Sequence, residues 1–359
     1  MKVVTIVGAR PQFVKAAAVS RAFVEEGGVT EVIVHTGQHF DTNMSGIFFE
    51  EMAIPKPDYN LEIHSLSHGA MTGRMMEQIE RILQSEDPDA VMVYGDTNST
   101  FAGAMAARKM GIKLLHVEAG LRSFDMGMPE EVNRILTDRI SDVLYCPTDT
   151  AVGNLAREGF EHYDCRIIQS GDVMEDAAMF YAERAFAHST ILEDLGLVNK
   201  EFLLCTLHRA ENTDDPARLR ELVAGLNEVG KTRVIVMPIH PRTKAALAKQ
   251  GLSLNVRLID PVGYFDMVSL LDSSSLVITD SGGLQKEAYF FNSGCVTMRD
   301  QTEWVELVAN GFNVLVGADR EKLINGVERM ISQPFQRNVE LYGSGKAANI
   351  IAADIVGCC

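Results

Sequence analysis

Short, continuously apolar runs rich in β-branched residues recur along the chain, first as "VVTIVGA", "VTEVIVHTG", "AVMVYGD", "KLLHVEAG", "DVLYCPT" and "RIIQSGD". A second series follows as "FLLCTLH", "TRVIVMPIH", "VRLID", "SLVITDSGG", "GCVTMRD" and "NVLVG". Runs that do not alternate with polar residues are the signature of strands buried on both faces. Between them the apolar positions take a helical spacing, as in "PQFVKAAAVSRAFVEE" and "STFAGAMAARKM". Strand and helix in alternation predict parallel sheets covered by helices on both sides. A dozen strands are too many for one comfortable open sheet, so they divide six and six. The expected fold class is α/β, with two doubly wound Rossmann-like domains facing a central cleft. The boundaries expected are 1–170 for the first domain and 171–344 for the second, with a closing hinge near residue 170. The last helical pattern, 345–359, is expected to pack back on the first domain.

Composition narrows the function without naming it. A chain of 359 residues with 46% hydrophobic and 23% charged residues can build two cores. The net charge of −16 argues against a phosphate backbone or an anionic membrane surface as partner, since both demand a basic face. No stretch approaches the roughly 20 apolar residues of a membrane span. "MKVVTIVGARPQ" runs straight into a strand pattern instead of a leader, so a soluble, cytoplasmic protein is expected. Six scattered cysteines without a CxxC pair predict reduced, mostly buried thiols.

In open α/β sheets ligands bind beyond the carboxyl ends of the strands, and the unusual residues fall there. The first strand leads into "GARPQFVK", with Arg10 and Lys15 around a helix start and no GxGxxG for a dinucleotide. "YGDTNST" places Asp96 at a strand exit, where a helix cap would explain it equally well. The stretch "HVEAGLRSFDMGMPEEVNR" ends a strand with Glu118 and opens a helix with Glu130, Glu131 and Arg134. Acids in a first helical turn also satisfy the helix dipole, which accounts for Glu130 and Glu131 but not for Glu118. In the second half, "CTLHRAEN" and "MPIHPRTK" put His208 and His240 at equivalent strand ends. "TDSGGLQKEA" carries Ser281, Gly282 and Gly283 into a helix bearing Glu287. Glycines at such a turn let backbone N–H groups approach a phosphate, and Glu287 falls within reach of a ribose diol. His35 and His39 lack the companion ligands of a metal site. No metal and no cofactor are expected. A phosphate-and-ribose cradle in one half and carboxylates with cations in the other suit a nucleotide-sugar enzyme.

The chain resembles the non-hydrolysing UDP-N-acetylglucosamine 2-epimerases, proteins of the glycosyltransferase-B fold. Seven motifs carry the resemblance in order: "GARPQFVKAA", "TGQH", "YGDTNST", "HVEAGLRS" with "PEEVNR", "LHRAEN", "TDSGGLQKEA" and "MRDQTE". The resemblance implies loss of the C2 proton, anti elimination of UDP to a glycal, and re-addition with C2 inverted. It assigns Asp96, Glu118, Glu130 and His208 to catalysis. Arg10, Lys15, Arg134, His240, Ser281, Gly282, Gly283, Glu287 and Arg299 are assigned to binding of the UDP-sugar, and a homodimer is implied.

Two departures bear on the substrate. "RDQTEWVE" places Trp304 and Val305 where the family usually has arginine and proline. This form is similar to the branch that epimerises UDP-2,3-diacetamido-2,3-dideoxy-glucuronate for surface polysaccharide, with Arg122, Arg242 and His240 as candidates to meet the uronate. Ser65 and Leu66 stand where bacterial members that use UDP-N-acetylglucosamine as activator carry Arg-Gln, although Gln38 and His39 match. The alternatives are a plain UDP-N-acetylglucosamine 2-epimerase and, in another class, a glycosyltransferase of the same fold.

Overall fold

The computed structural model describes residues 1–38, 54–333, 335, 337 and 339–357. The chain forms two compact units, Met1–Ala177 with Leu341–Cys359, and Ala178–Glu340. The helix Val173–His188 carries the chain from one to the other.

In the first unit the strands are β1 (Lys2–Val7), β2 (Thr30–His35), β3 (Tyr59–Asn60), β4 (Ala90–Tyr94), β5 (Lys113–Val117), β6 (Val143–Cys146) and β7 (Arg166–Gln169). They lie in the order β3-β2-β1-β4-β5-β6-β7, every neighbouring pair parallel. The edge strand β3 is the one the apolar pattern did not foretell, because two residues carry no periodicity. The centre of the sheet is inaccessible: β1 and β4 are buried almost throughout. The helix Asn98–Lys109 lies close on it because it presents Ala102, Gly103, Ala106 and Ala107. A Cβ on Gly103 would stand 3.0 Å from Ile6 Cγ1.

The second unit repeats the plan with β8 (Phe202–Thr206), β9 (Val234–Pro238), β10 (Arg257–Ile259), β11 (Leu276–Thr279), β12 (Gly294–Thr297) and β13 (Asn313–Leu315). Their order is β10-β9-β8-β11-β12-β13, again all parallel. Strand order in each sheet reverses once, between β1 and β4 and between β8 and β11. Those are the crevices where doubly wound sheets bind ligands. Each unit is thus Rossmann-like.

The terminal helix Ala347–Gly357 belongs to the first unit and packs on the helix Arg10–Glu26. The Asp176 carboxylate caps its first turn, accepting the amides of Ala347 at 3.1 Å and Ala348 at 2.9 Å. No helix among the described residues is long and apolar enough to cross a membrane. Cys146, Cys165, Cys205 and Cys295 are free thiols, and Cys358 and Cys359 lie outside the described residues.

Candidate active site

In the first unit Asp96 and Glu118 leave adjacent parallel strands. Tyr94 pairs in register with Val117, so each acid follows within two residues of a matched pair. Between Tyr94 and Asp96, Gly95 takes φ 63°, and Glu118 itself takes φ 69°. A left-handed glutamate costs on the order of 1 kcal/mol and persists only where its surroundings fix it. Its partner is Lys15, buried on the helix Arg10–Glu26, whose ammonium pairs with the Glu118 carboxylate. Arg10, the first residue of that helix, is exposed.

The helix Pro129–Ile140 supplies the other partners. Its opening acids, adjacent in sequence, have opposite fates because neighbours on a helix point about 100° apart. Glu131 is fully buried and accepts the backbone amides of Ser123 and Phe124, each at 2.9 Å. Burial pushes its carboxyl up, but these amides and Arg134 outweigh that, and it ends below the ordinary range. Glu130 is exposed, with no hydrogen bond or ion pair from its side chain among the described residues. Arg134, itself buried, pairs with both Glu131 and Asp96. Asp96 keeps 30% of its side-chain surface exposed. Desolvation still pushes its carboxyl above the ordinary aspartate value, the Glu118 charge adds to the rise, and Arg134 and Lys15 do not cancel it.

Arg122 has a different place from the one its position in the motif suggests. Its side chain is 1% exposed and donates to Asp138 at 2.7 Å and to Glu158 at 2.6 and 2.9 Å. Two carboxylates neutralise it, so it is removed from the candidates for a substrate uronate. Gln38 is also engaged, its Oε1 accepting from the Ser99 amide at 2.9 Å and hydroxyl at 2.7 Å, and His39 lies outside the described residues.

In the second unit a residue without a predicted role organises the site. Asp280, fully buried at the exit of β11, accepts the amides of His208 and Arg209 and the Asn212 side chain between 2.9 and 3.2 Å. Its Oδ1 also stands 3.4 Å from His208 Nδ1. The loops after β8 and β11 are thereby tied together. Burial lowers the His208 pKa, Asp280 opposes this, and the nearby His240, Arg209 and Arg242 reinforce it. The His208 and His240 rings lie 5.7 Å apart, and His240 Nδ1 caps its helix by accepting the Arg242 amide at 3.2 Å.

Ser281 caps the helix Gly282–Phe290, leaving Gly282 and Gly283 as its first residues and Glu287 half-buried further along. A Cβ on Gly282 would run into Glu303 and come within 3.5 Å of the Arg209 guanidinium. Buried Arg299 donates to Glu303 at 2.9 Å. Trp304 lies against the same turn: its indole N–H donates to the Gly282 carbonyl at 2.9 Å, and the Lys286 ammonium sits 4.0 Å over its ring. Of the residues predicted for the UDP-sugar, Ser281, Gly282, Gly283 and Arg299 gather at this helix start, with Asp280 and Arg209 as members sequence reasoning did not select, whereas His240 opens the helix Pro241–Gln250 and Arg10, Lys15 and Arg134 lie in the first unit. A charged residue leaving an apolar strand, as Asp96 does, was the available signal for Asp280. Among the described residues no three metal-ligating side chains converge.

Two Rossmann-like units, one with a glycine-opened helix start ringed by cations and one with paired acids at its strand ends, define a nucleotide-sugar enzyme of the glycosyltransferase-B class. The chain belongs to the UDP-N-acetylglucosamine 2-epimerase family, whose profile matches residues 21–356, and it is therefore an isomerase. It is 55% identical over 354 residues to the UDP-2,3-diacetamido-2,3-dideoxy-D-glucuronate 2-epimerase of Pseudomonas aeruginosa, covering 98% of each chain. It is 42% identical over 368 residues, 98% of each chain, to the UDP-N-acetylglucosamine 2-epimerase of Methanocaldococcus jannaschii. The crystal structure of the latter in complex with UDP-GlcNAc and UDP superposes with a TM-score of 0.88 over 99% of this chain and 100% of that one.

Proposed function

We propose that this enzyme interconverts UDP-2,3-diacetamido-2,3-dideoxy-D-glucuronate and its C2 epimer, the mannuronate, as a precursor step for surface polysaccharide. The observation that carries the reading is the 55% identity along 98% of both chains to an enzyme of that name. The buried Trp304, hydrogen-bonded to the Gly282 carbonyl, supports it from the geometry, since an indole at this turn cannot do what the family's usual arginine does.

In this reading Ser281, Gly282, Gly283 and Glu287 receive the nucleotide, with Arg209, Arg299, His208 and His240 around the diphosphate. A carboxylate of the first unit removes the C2 proton. The C1–O bond breaks, UDP leaves as an anion, and C1 and C2 become the double bond of a glycal. UDP then adds back to C1 while C2 takes a proton on its opposite face, so atoms and charge balance. Cations held in place stabilise the leaving diphosphate without reorganising. His208, whose pKa burial lowers, offers a neutral ring at neutral pH. Asp96, with its raised pKa, suits a group that must both hold and give up a proton. Glu130 is the acid for which no ion pair has to be broken. Arg10, Lys15 and Arg134 serve the sugar and phosphate. The proposal includes a homodimer, which light scattering checks, and a cytoplasmic setting.

The test is NMR in D2O with purified enzyme and each UDP-sugar offered alone. Deuterium entering C2 with inversion of the diacetamido uronate, and not of UDP-N-acetylglucosamine, is the expected result. Turnover of UDP-N-acetylglucosamine alone would make Trp304 irrelevant to substrate choice and return the enzyme to the plain epimerase.

A further inference from the structure

His116 has no part in the chemistry assigned above, yet it is fully buried at the centre of a charged network. Its ring projects from β5 with Nδ1 2.7 Å from Asp138 Oδ1 and Nε2 2.7 Å from the carbonyl oxygen of Gly95. A carbonyl has no proton to give, so Nε2 carries one. The other oxygen of Asp138 accepts the Gly120 amide at 3.0 Å and the Arg122 guanidinium at 2.7 Å. Asp138 is thereby fixed on one side by Gly120 and Arg122, and its Oδ1 faces the His116 ring. Burial by itself would push the Asp138 carboxyl up, but His116 and Arg122 outweigh it and hold it below the ordinary range.

The far end of that ring fixes the turn between β4 and Asp96. Gly95 is gripped from both sides, its amide donating to the Val117 carbonyl at 3.0 Å while its own carbonyl receives His116 Nε2. Asp96 is the residue after Gly95, and Glu118 is the residue after Val117. The clearance is small, because a Cβ on Gly95 would stand 3.1 Å from Glu118 Oε2 and 3.8 Å from Lys15 Nζ.

We propose that His116 is a positioning residue whose ring, oriented by Asp138, locks the Gly95 turn and so sets the spacing of Asp96 and Glu118. The proposal rests on the reading of those two acids as the proton carriers. Displacement of a reacting group by about 1 Å costs on the order of 100-fold in rate.

A His116→Gln enzyme keeps at most one of the two bonds. Its kcat should fall by about 10- to 100-fold, with KM and UDP affinity nearly unchanged. A folded H116Q enzyme with wild-type kcat overturns the role. Should H116Q fail to fold, Asp138→Ala removes the partner that orients the ring, and wild-type kcat in D138A overturns the role equally. Failure of the underlying reading has its own signature: Asp96→Asn and Glu118→Gln would exchange C2 deuterium normally.

Discussion

Asp96 holds its proton more tightly than an aspartate in water does. Its carboxyl sits above the ordinary aspartate value through desolvation and the Glu118 charge, even with Arg134 bonded to it. The folded protein therefore binds this proton more tightly than the unfolded chain does. The sign follows: the group's contribution to stability is fully present below the ordinary aspartate pKa of about 3.9 and is lost as pH rises through the raised folded value. As pH rises wild type loses that contribution, whereas an Asp96→Asn enzyme, with no proton to lose there, does not. D96N should melt at a higher temperature than wild type at pH 8 and lose that advantage near pH 4, while C2 deuterium exchange falls by about 10²- to 10⁴-fold. Thermal melts at the two pH values and the exchange assay check both halves. Equal melting temperatures at pH 8 would show that Arg134 fully compensates the charge. Pairing of this kind is what the motif "HVEAGLRSFDMGMPEEVNR" conceals. Its charges sort into two sets, His116 and Arg122 with the more distant Asp138 and Glu158, and Glu118, Glu131 and Arg134 with Lys15 and Asp96. Each set is completed by residues outside the motif. Local spacing therefore could not separate exposed Glu130 from buried Glu131, nor show that Arg122 is occupied.

Strands were the legible elements, because a strand buried on both faces is written as an unbroken apolar run whatever pairs with it. All six runs expected in the second unit are strands, and β3 escaped only because its two residues write nothing. What joins strand ends is less visible, and Asp280 is the example. It follows β11, but its hydrogen bonds go to the loop after β8, the neighbouring strand. An Asp280→Asn side chain keeps the size, and because Oδ2 alone accepts from the His208 and Arg209 amides and the Asn212 side chain, an amide oxygen in its place keeps those bonds. The lost charge still reaches His208, where Asp280 opposes the lowering due to burial. D280N should therefore lower the His208 pKa, followed by NMR titration. A His208 pKa that rose in D280N would contradict the assigned direction.

At the scale of the whole chain, the first unit is built from both ends of the sequence. Residues 341–359 return to it after the second unit is complete. The return is specified by more than contact, since the Asp176 carboxylate caps the terminal helix and Tyr145 donates to Asp354 at 2.9 Å. Ile351 and Ile355 are nearly inaccessible, with Ala348 and Ala352 beside them allowing the helix to lie close. Truncating a buried isoleucine to alanine at such a site costs about 2–5 kcal/mol. A change confined to one unit can act on that unit alone if the two melt as separate cooperative bodies. Ile351→Ala should therefore lower the transition of the first unit and leave UDP binding, assigned to the second, at wild-type affinity. Calorimetry with and without UDP distinguishes the cases: the nucleotide should raise the melting temperature of the unaffected transition by the same amount in wild type and I351A. A single transition moved as one by both the mutation and UDP would instead show that the chain unfolds as one cooperative body, with the terminal helix stabilising the nucleotide site as much as the unit on which it packs.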